Sequence, residues 1–162
     1  MSIETISTNA YLTYQLAEDY FSVNVGKVVE IVEVPKITKV PQSPDYMSGV
    51  INLRGSVLPV VDTRIKFGFP SKENDLDTCI VVLEITINET DQILVGALVD
   101  KVLDVLEIEP EKINPSPSLG SKYKSEFIIG MGEIGEGDFI MILDIDKVFS
   151  TEELSILTET KK

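Results

Sequence analysis

The sequence predicts an all-β protein of short strands arranged as small barrels or sandwiches, and three observations carry that reading. Apolar and polar residues alternate with a period of two through most of the chain, the pattern of half-buried strands. Clusters of Pro, Gly, Asn, Asp and Ser interrupt the alternation at short intervals, dividing the 162 residues into roughly nine or ten strands. Only the tail offers a well-marked helix, whereas a doubly wound sheet needs a helix between successive strands.

The elements follow in chain order. In NAYLTYQL the residues Ala10, Leu12, Tyr14 and Leu16 share one face, and Glu18-Asp19 marks a turn before YFSVNV. KVVEIVEV, residues 27–34, is apolar on both faces apart from Glu30 and Glu33, and Pro35 ends it because proline cannot donate to a ladder. A loop with Pro41 and Pro44 leads through SPDYMS, at most one helical turn, into GVINLRGSVLPVVD, residues 49–62. That stretch reads as a hairpin with Gly55 and Ser56 in its turn and Val57, Leu58, Val60 and Val61 in a largely buried strand. TRIKFGF forms a short helix or loop, and SKENDLD is a polar surface connection. DTCIVVLEITI and QILVGALV pair around NETD, VLDVLEI adds a strand, and EPEKINPSPSLGSK is the most loop-like segment. EFIIGMGEIGEGDFIMILDI is a further hairpin around residues 135–138. In the tail, Ser150 and Glu153 make a capping box ahead of Leu154, Ile156 and Leu157.

Composition excludes several classes of function. Fourteen basic against 27 acidic residues give a formal net charge of −13, so nucleic acid and anionic lipid are poor partners. The N-terminus lacks a basic region followed by an apolar core, and the apolar runs are strand-length; we therefore expect a cytoplasmic protein without direct membrane insertion. Cys79 is the one cysteine, which rules out an intramolecular disulfide and reads as a buried, inert thiol in CIVVL. Histidine is absent, removing the usual acid-base catalyst near neutral pH and the commonest transition-metal ligand. Residues 130–135 match GxGxxG, but GDFIMILDI follows as a strand, and the phosphate-binding mechanism needs a helix N-terminus there. No catalytic, metal or cofactor site is expected. A protein-binding module is the stronger reading, because strands apolar on both sides need either a second lobe or a partner to cover them.

GVINLRGSVLPVVDTRIKFG resembles the signature region of the CheW family, the adaptors of bacterial chemotaxis signalling arrays. YLTYQLAEDYFSVNVGKVVEIVEV resembles the family's opening strands, TCIVVLEI with LVGALVDKVLDVLEI its central pair, and FIIGMGEIGEGDFIMILDIDKVF its closing hairpin. The resemblance implies a single CheW-like domain over residues 9–157, with flexible tails at 1–8 and 158–162. It implies two intertwined SH3-like five-stranded β-barrels around a shared core, with short helical turns and a C-terminal helix. One lobe takes residues 10–39 plus 118–149 and the other 40–117.

The implied function is a noncatalytic scaffold linking the cytoplasmic tips of methyl-accepting chemoreceptors to the regulatory domain of the CheA histidine kinase. Such a protein is a monomer alone and multimeric in receptor arrays at the inner membrane. A groove between lobes is expected to hold the receptor's helical hairpin, with Val28, Ile31 and Val32 on one side and Val99 and Val102 on the other, Glu30 and Asp100 setting register. Gly49, Asn52, Leu58 and Pro59 are the candidate kinase contacts. Arg54 keeps two readings: a receptor-facing fork of donors, or a brace whose head pairs with Glu30 or Asp62. The rival functions are a CheW-like adaptor for another sensory kinase pathway and a small-ligand-binding β-barrel.

Overall fold

The computed structural model describes residues 9–70, 72–87, 91–115, 127–134 and 137–149. The expected tails, the tail helix and parts of four connecting segments lie outside the described residues. The strands are β1 (Ala10–Leu16), β2 (Asp19–Asn24), β3 (Val28–Glu33), β4 (Met47–Leu53), β5 (Ser56–Asp62), β6 (Cys79–Ile87), β7 (Asp91–Val99), β8 (Lys101–Glu107), β9 (Ile113–Pro115), β10 (Ile128–Ile134) and β11 (Asp138–Leu143). Two one-turn helices accompany them, α1 (Thr63–Lys66) and α2 (Ile145–Val148). The protein is all-β with short helices.

Two mixed sheets form. Six strands run in the order β8-β1-β2-β11-β10-β9, and five in the order β3-β6-β7-β5-β4, each sheet with one parallel pair, β11 with β2 and β5 with β7. The chain interleaves them, since β3 pairs with β6 in the five-stranded sheet while β8 returns to pair with β1 in the six-stranded one.

The two-sided apolar strands find cover on both faces because successive strand residues point to opposite sides. In β6, Val81, Leu83 and Ile85 enter a core shared by the two sheets, whereas Ile80 and Val82 turn the other way into a cluster with Ile51, Leu58, Val60 and Leu98. The six-stranded sheet does the same: Leu12, Tyr14, Leu16, Phe21 and Val23 meet the shared core, and Ile140 and Ile142 enclose a cluster of their own with Ile108. A sheet that encloses a cluster on its second face has to curl. In the five-stranded sheet the curl closes where the chain after β3 reaches the far edge: Thr38 and Val50 exchange backbone hydrogen bonds of 2.9 and 2.8 Å. Gly49 permits that approach, since a Cβ there would lie 2.2 Å from the Thr38 carbonyl oxygen.

Polar ties span the two sheets. Asp100, where the chain crosses from β7 to β8, donates its backbone N–H to the Gln15 carbonyl at 3.1 Å and accepts the Ala17 N–H on its carboxylate at 2.7 Å. Lys27 Nζ donates to Asp146 Oδ2 at 2.8 Å, and Asp146 Oδ1 accepts the Thr86 N–H at 3.0 Å. Phe21 of β2 stacks on Phe67, which follows α1, with ring centroids 5.7 Å apart.

Local structure departs from the sequence reading in four places. Val57 is 59 % exposed rather than buried, because at the start of β5 it lies beyond the part of the shared core that the other sheet covers. The turn of the first hairpin is Arg54-Gly55, not Gly55-Ser56, as Leu53 pairs directly with Ser56. Within the loop-like EKINP, residues 113–115 pair with β10 as a short edge strand. Cys79 is half-buried. Burial pushes its thiol up from the ordinary value, and the nearby charge of Asp77 adds to the shift.

Candidate interaction site

Arg54 is the first residue of the two-residue turn between β4 and β5, with φ of +52° at Arg54 and +86° at Gly55. Positive φ at both central residues matches the twist of the flanking strands, but it is uncommon for a long side chain and costs strain. Asn52 helps hold the turn by accepting the Gly55 N–H on Oδ1 at 2.8 Å. The strained position sends the guanidinium across the sheet to Glu30 on β3, where Nη2 donates to Oε1 at 2.7 Å and Nη1 donates to Oε2 in a two-pronged pair. These hydrogen bonds, reinforced by the Arg54 charge, hold the Glu30 carboxyl below the ordinary carboxylate range despite its partial desolvation. Strand β3 is one edge of the five-stranded sheet, and the Arg54 turn leads out of β4, the other edge. The pair therefore works as a clasp across the opening of the curled sheet, beside the Thr38–Val50 bridge.

A seam runs where the two sheets meet. Strands β3 and β8 are each the outer strand of their sheet, and both set aliphatic side chains against the shared core without burying them fully. Val28 and Val102 pack partly buried against that core. Ile31 pairs with the core residue Val81, Val105 pairs with the core residue Leu12, and both are among the exposed large hydrophobic residues. Half-covered aliphatics on two edge strands of one core are the kind of surface that an elongated apolar partner covers.

A family model described as CheW-like domain matches residues 10–153. The chain belongs to the CheW family. A chemotaxis protein CheW of Klebsiella aerogenes is 33 % identical over 152 residues, 94 % of this chain and 88 % of the relative. One from Thermotoga maritima is also 33 % identical, over 90 % of this chain and 89 % of the relative. Among solved structures, the scaffolding protein TtCheW from Thermoanaerobacter tengcongensis superimposes with a TM-score of 0.77 at 28 % identity, covering 90 % of this chain and 94 % of that one. CheW proteins are a family of scaffolds and adaptors, and this chain is a chemotaxis coupling adaptor. No helix among the described residues is long and apolar enough to cross a membrane.

Within this CheW fold the expected receptor-facing residues divide. Val28, Ile31 and Val102 reach the seam. Val32 turns to the opposite side of β3 and packs against the inner cluster of the five-stranded sheet. Val99 and Asp100 differ from expectation more strongly, because both are buried: Val99 is in the shared core, and Asp100 is taken up by Arg64 and the Ala17 amide. Glu30 and Arg54 engage each other, and Arg54 remains mostly exposed. Of the four expected kinase contacts only Asn52 is exposed; Gly49, Leu58 and Pro59 are buried, Leu58 in the inner cluster and Gly49 against Thr38.

Sequence reasoning missed Arg64, which is 2 % exposed. Its Nε and Nη2 donate to the two oxygens of Asp62 at 2.9 and 3.0 Å, its Nη1 to Asp100 Oδ1 at 3.0 Å, and Nη2 reaches Asn74 Oδ1 at 3.4 Å. Burial alone would lower the guanidinium's pKa, but bonding to Asp62 and then Asp100 outweighs it and raises the value. The one available signal was local. In VVDTR an aspartate ends a buried strand two residues before an arginine, which places an N-cap carboxylate beside a cation; Asp62 does accept the Arg64 N–H at 3.0 Å. The third partner, Asp100, is distant in sequence and left no such trace.

Proposed function

We propose that this chain couples the cytoplasmic tips of methyl-accepting chemoreceptors to the regulatory domain of the CheA histidine kinase, with no catalytic step of its own. The observation that carries this is the seam, where Val28 and Ile31 on one edge strand and Val102 and Val105 on the other offer aliphatic surface to a helical hairpin. Helices that bury an apolar face against such a surface gain affinity from that face, and charges at its rim set orientation. The kinase contact falls on the lobe that carries the first hairpin, with Asn52 and the exposed Val57 beside its tip. The protein works in the cytoplasm and is recruited to receptor arrays at the inner membrane, where repeated weak contacts add up through multivalency.

The test is a titration of the purified protein against the isolated regulatory domain of the same organism's CheA and, separately, against a receptor-tip fragment, at physiological salt. Saturable one-to-one binding to each is expected. Val28→Asp should weaken receptor-tip binding more than kinase binding, and equal losses in both would reject the seam as the receptor site. Failure of the wild type to bind either partner would move the protein to another sensory kinase pathway.

A further inference from the structure

The loop between α1 and β6 ends in a turn with an unusual tip. Leu76 has a relative exposure of 104 %, the highest of the exposed large hydrophobic residues. The turn beneath it is ordered by its own hydrogen bonds: Asp75 Oδ1 accepts the N–H groups of Asp77 and Thr78 at 2.8 and 3.2 Å, and the Thr78 hydroxyl accepts the Asp75 N–H at 2.9 Å. Thr78 at the base is buried, and Asn74 on the approach meets the Arg64 guanidinium. A leucine held clear of the surface on a pinned turn has paid its ordering cost before any partner arrives, which is the property of a preformed anchor.

The turn's position says which partner the anchor meets. It runs straight into Cys79, whose register partner is Glu33 at the end of β3, and Asn74 on its approach shares the Arg64 guanidinium with Asp100, the residue just before β8. The Leu76 turn thus stands at one end of the seam between the two edge strands. Asp75 and Asp77 flank the leucine; Asp75 pairs with Lys72 at 3.5 Å, and both aspartates are exposed. We propose that Leu76 is an anchor at the end of the receptor groove, seating in an apolar notch between two helices of the receptor tip beside a lysine or arginine that faces Asp77. This rests on the receptor reading given above and extends it to a residue outside the seam.

The experiment measures binding of a receptor-tip fragment, and in parallel of the kinase regulatory domain, to wild type and to Leu76→Ser, Leu76→Met and Asp77→Lys. Leu76→Ser and Asp77→Lys are each expected to weaken receptor-tip binding about tenfold, the loss typical of an interface anchor, while Leu76→Met stays within about threefold of wild type. Kinase binding should not change, which also reports that the variants are folded. Unchanged receptor affinity in Leu76→Ser overturns the anchor while leaving the receptor reading intact. A loss confined to kinase binding assigns the turn to the other partner and equally overturns the proposal. A wild type that fails to bind the receptor tip removes the receptor reading, and the anchor falls with it.

Discussion

Replacing Arg64 with methionine should destabilise the protein more than any surface substitution, and the size of the loss follows from what the guanidinium touches. Methionine can fill much of the volume of the arginine stem, so the change isolates the charge. It leaves Asp62 and Asp100, 6 % and 5 % exposed, without the cation that both address. Asp62 keeps the residue-64 amide and Asp100 keeps the Ala17 amide, which offsets a fraction of the cost. Removing one partner of a buried ionic network costs about 3–5 kcal/mol, and at this chain length each kcal/mol lowers the melting temperature by about 2–4 °C. Calorimetry at neutral pH should therefore show a drop of roughly 6–20 °C.

The same substitution combined with Asp62→Asn and Asp100→Asn tests the cause. Asparagine keeps one oxygen acceptor at each position, replaces the other oxygen with an amide donor and removes both charges, so the triple variant should recover more than half of the loss. A single variant that loses less than about 1 kcal/mol, or a triple variant no more stable than the single, would refute the electrostatic account and leave packing as the source.

The remaining expectations are narrower. Gly49→Ala forces a Cβ onto the Thr38 carbonyl at a φ of +142°, whereas Gly68→Ala meets only a φ of +87° with nothing within 4 Å; urea melts should show the larger loss at Gly49, where backbone must move. The Glu30 carboxyl is held below its ordinary value by Arg54, so its contribution is fully present above the unfolded carboxylate range near about 4.3 and is lost as pH falls through the lower folded value. A carboxyl-carbon NMR titration should place the Glu30 midpoint below that range in wild type and return it toward the ordinary value in Arg54→Ala; identical midpoints would mean that the clasp does not form in solution.

The sequence disclosed what depends on local pattern. Alternation in AYLTYQL, CIVVLEITI and DFIMIL located strands, and TRIKFGF, read as a short helix or loop, begins with the one-turn helix Thr63–Lys66. It also showed that KVVEIVEV and LVGALV were apolar on two sides, which the shared core and the inner clusters now explain. What alternation cannot show is how far the opposite sheet extends. Val57 and Val99 have the same chemistry in similar strands, yet one projects past the covered region and the other ends up wholly inside it. For that reason, five of the twelve expected binding residues are buried. Arg64 was hidden for a different reason: arginine is read as a surface residue unless its acids are in view, and Asp100 is brought to it by the β7–β8 crossing.

Arg54 was open to two readings, partner contact and internal brace, and the clasp with Glu30 makes them separable. Glu30 lies on β3 one residue before Ile31, which forms one wall of the seam, so loosening the clasp loosens that wall even if Arg54 never meets the receptor. A pure brace acts through the pair. Arg54→Ala and Glu30→Ala should then weaken receptor binding equally, and the double variant should be no worse than either single one. A direct contact acts through the arginine alone: Arg54→Ala would exceed Glu30→Ala, because without Glu30 the guanidinium keeps its donors and gains freedom to reach an acidic partner. The geometry favours the brace. A long side chain is kept at positive φ at the tip of a turn and commits its Nη1–Nη2 fork to Glu30, so an outside acid would meet the remaining N–H donors without that fork. Receptor titrations of the three variants should accordingly give one common loss, and a Glu30→Ala protein that binds like wild type would reverse the assignment.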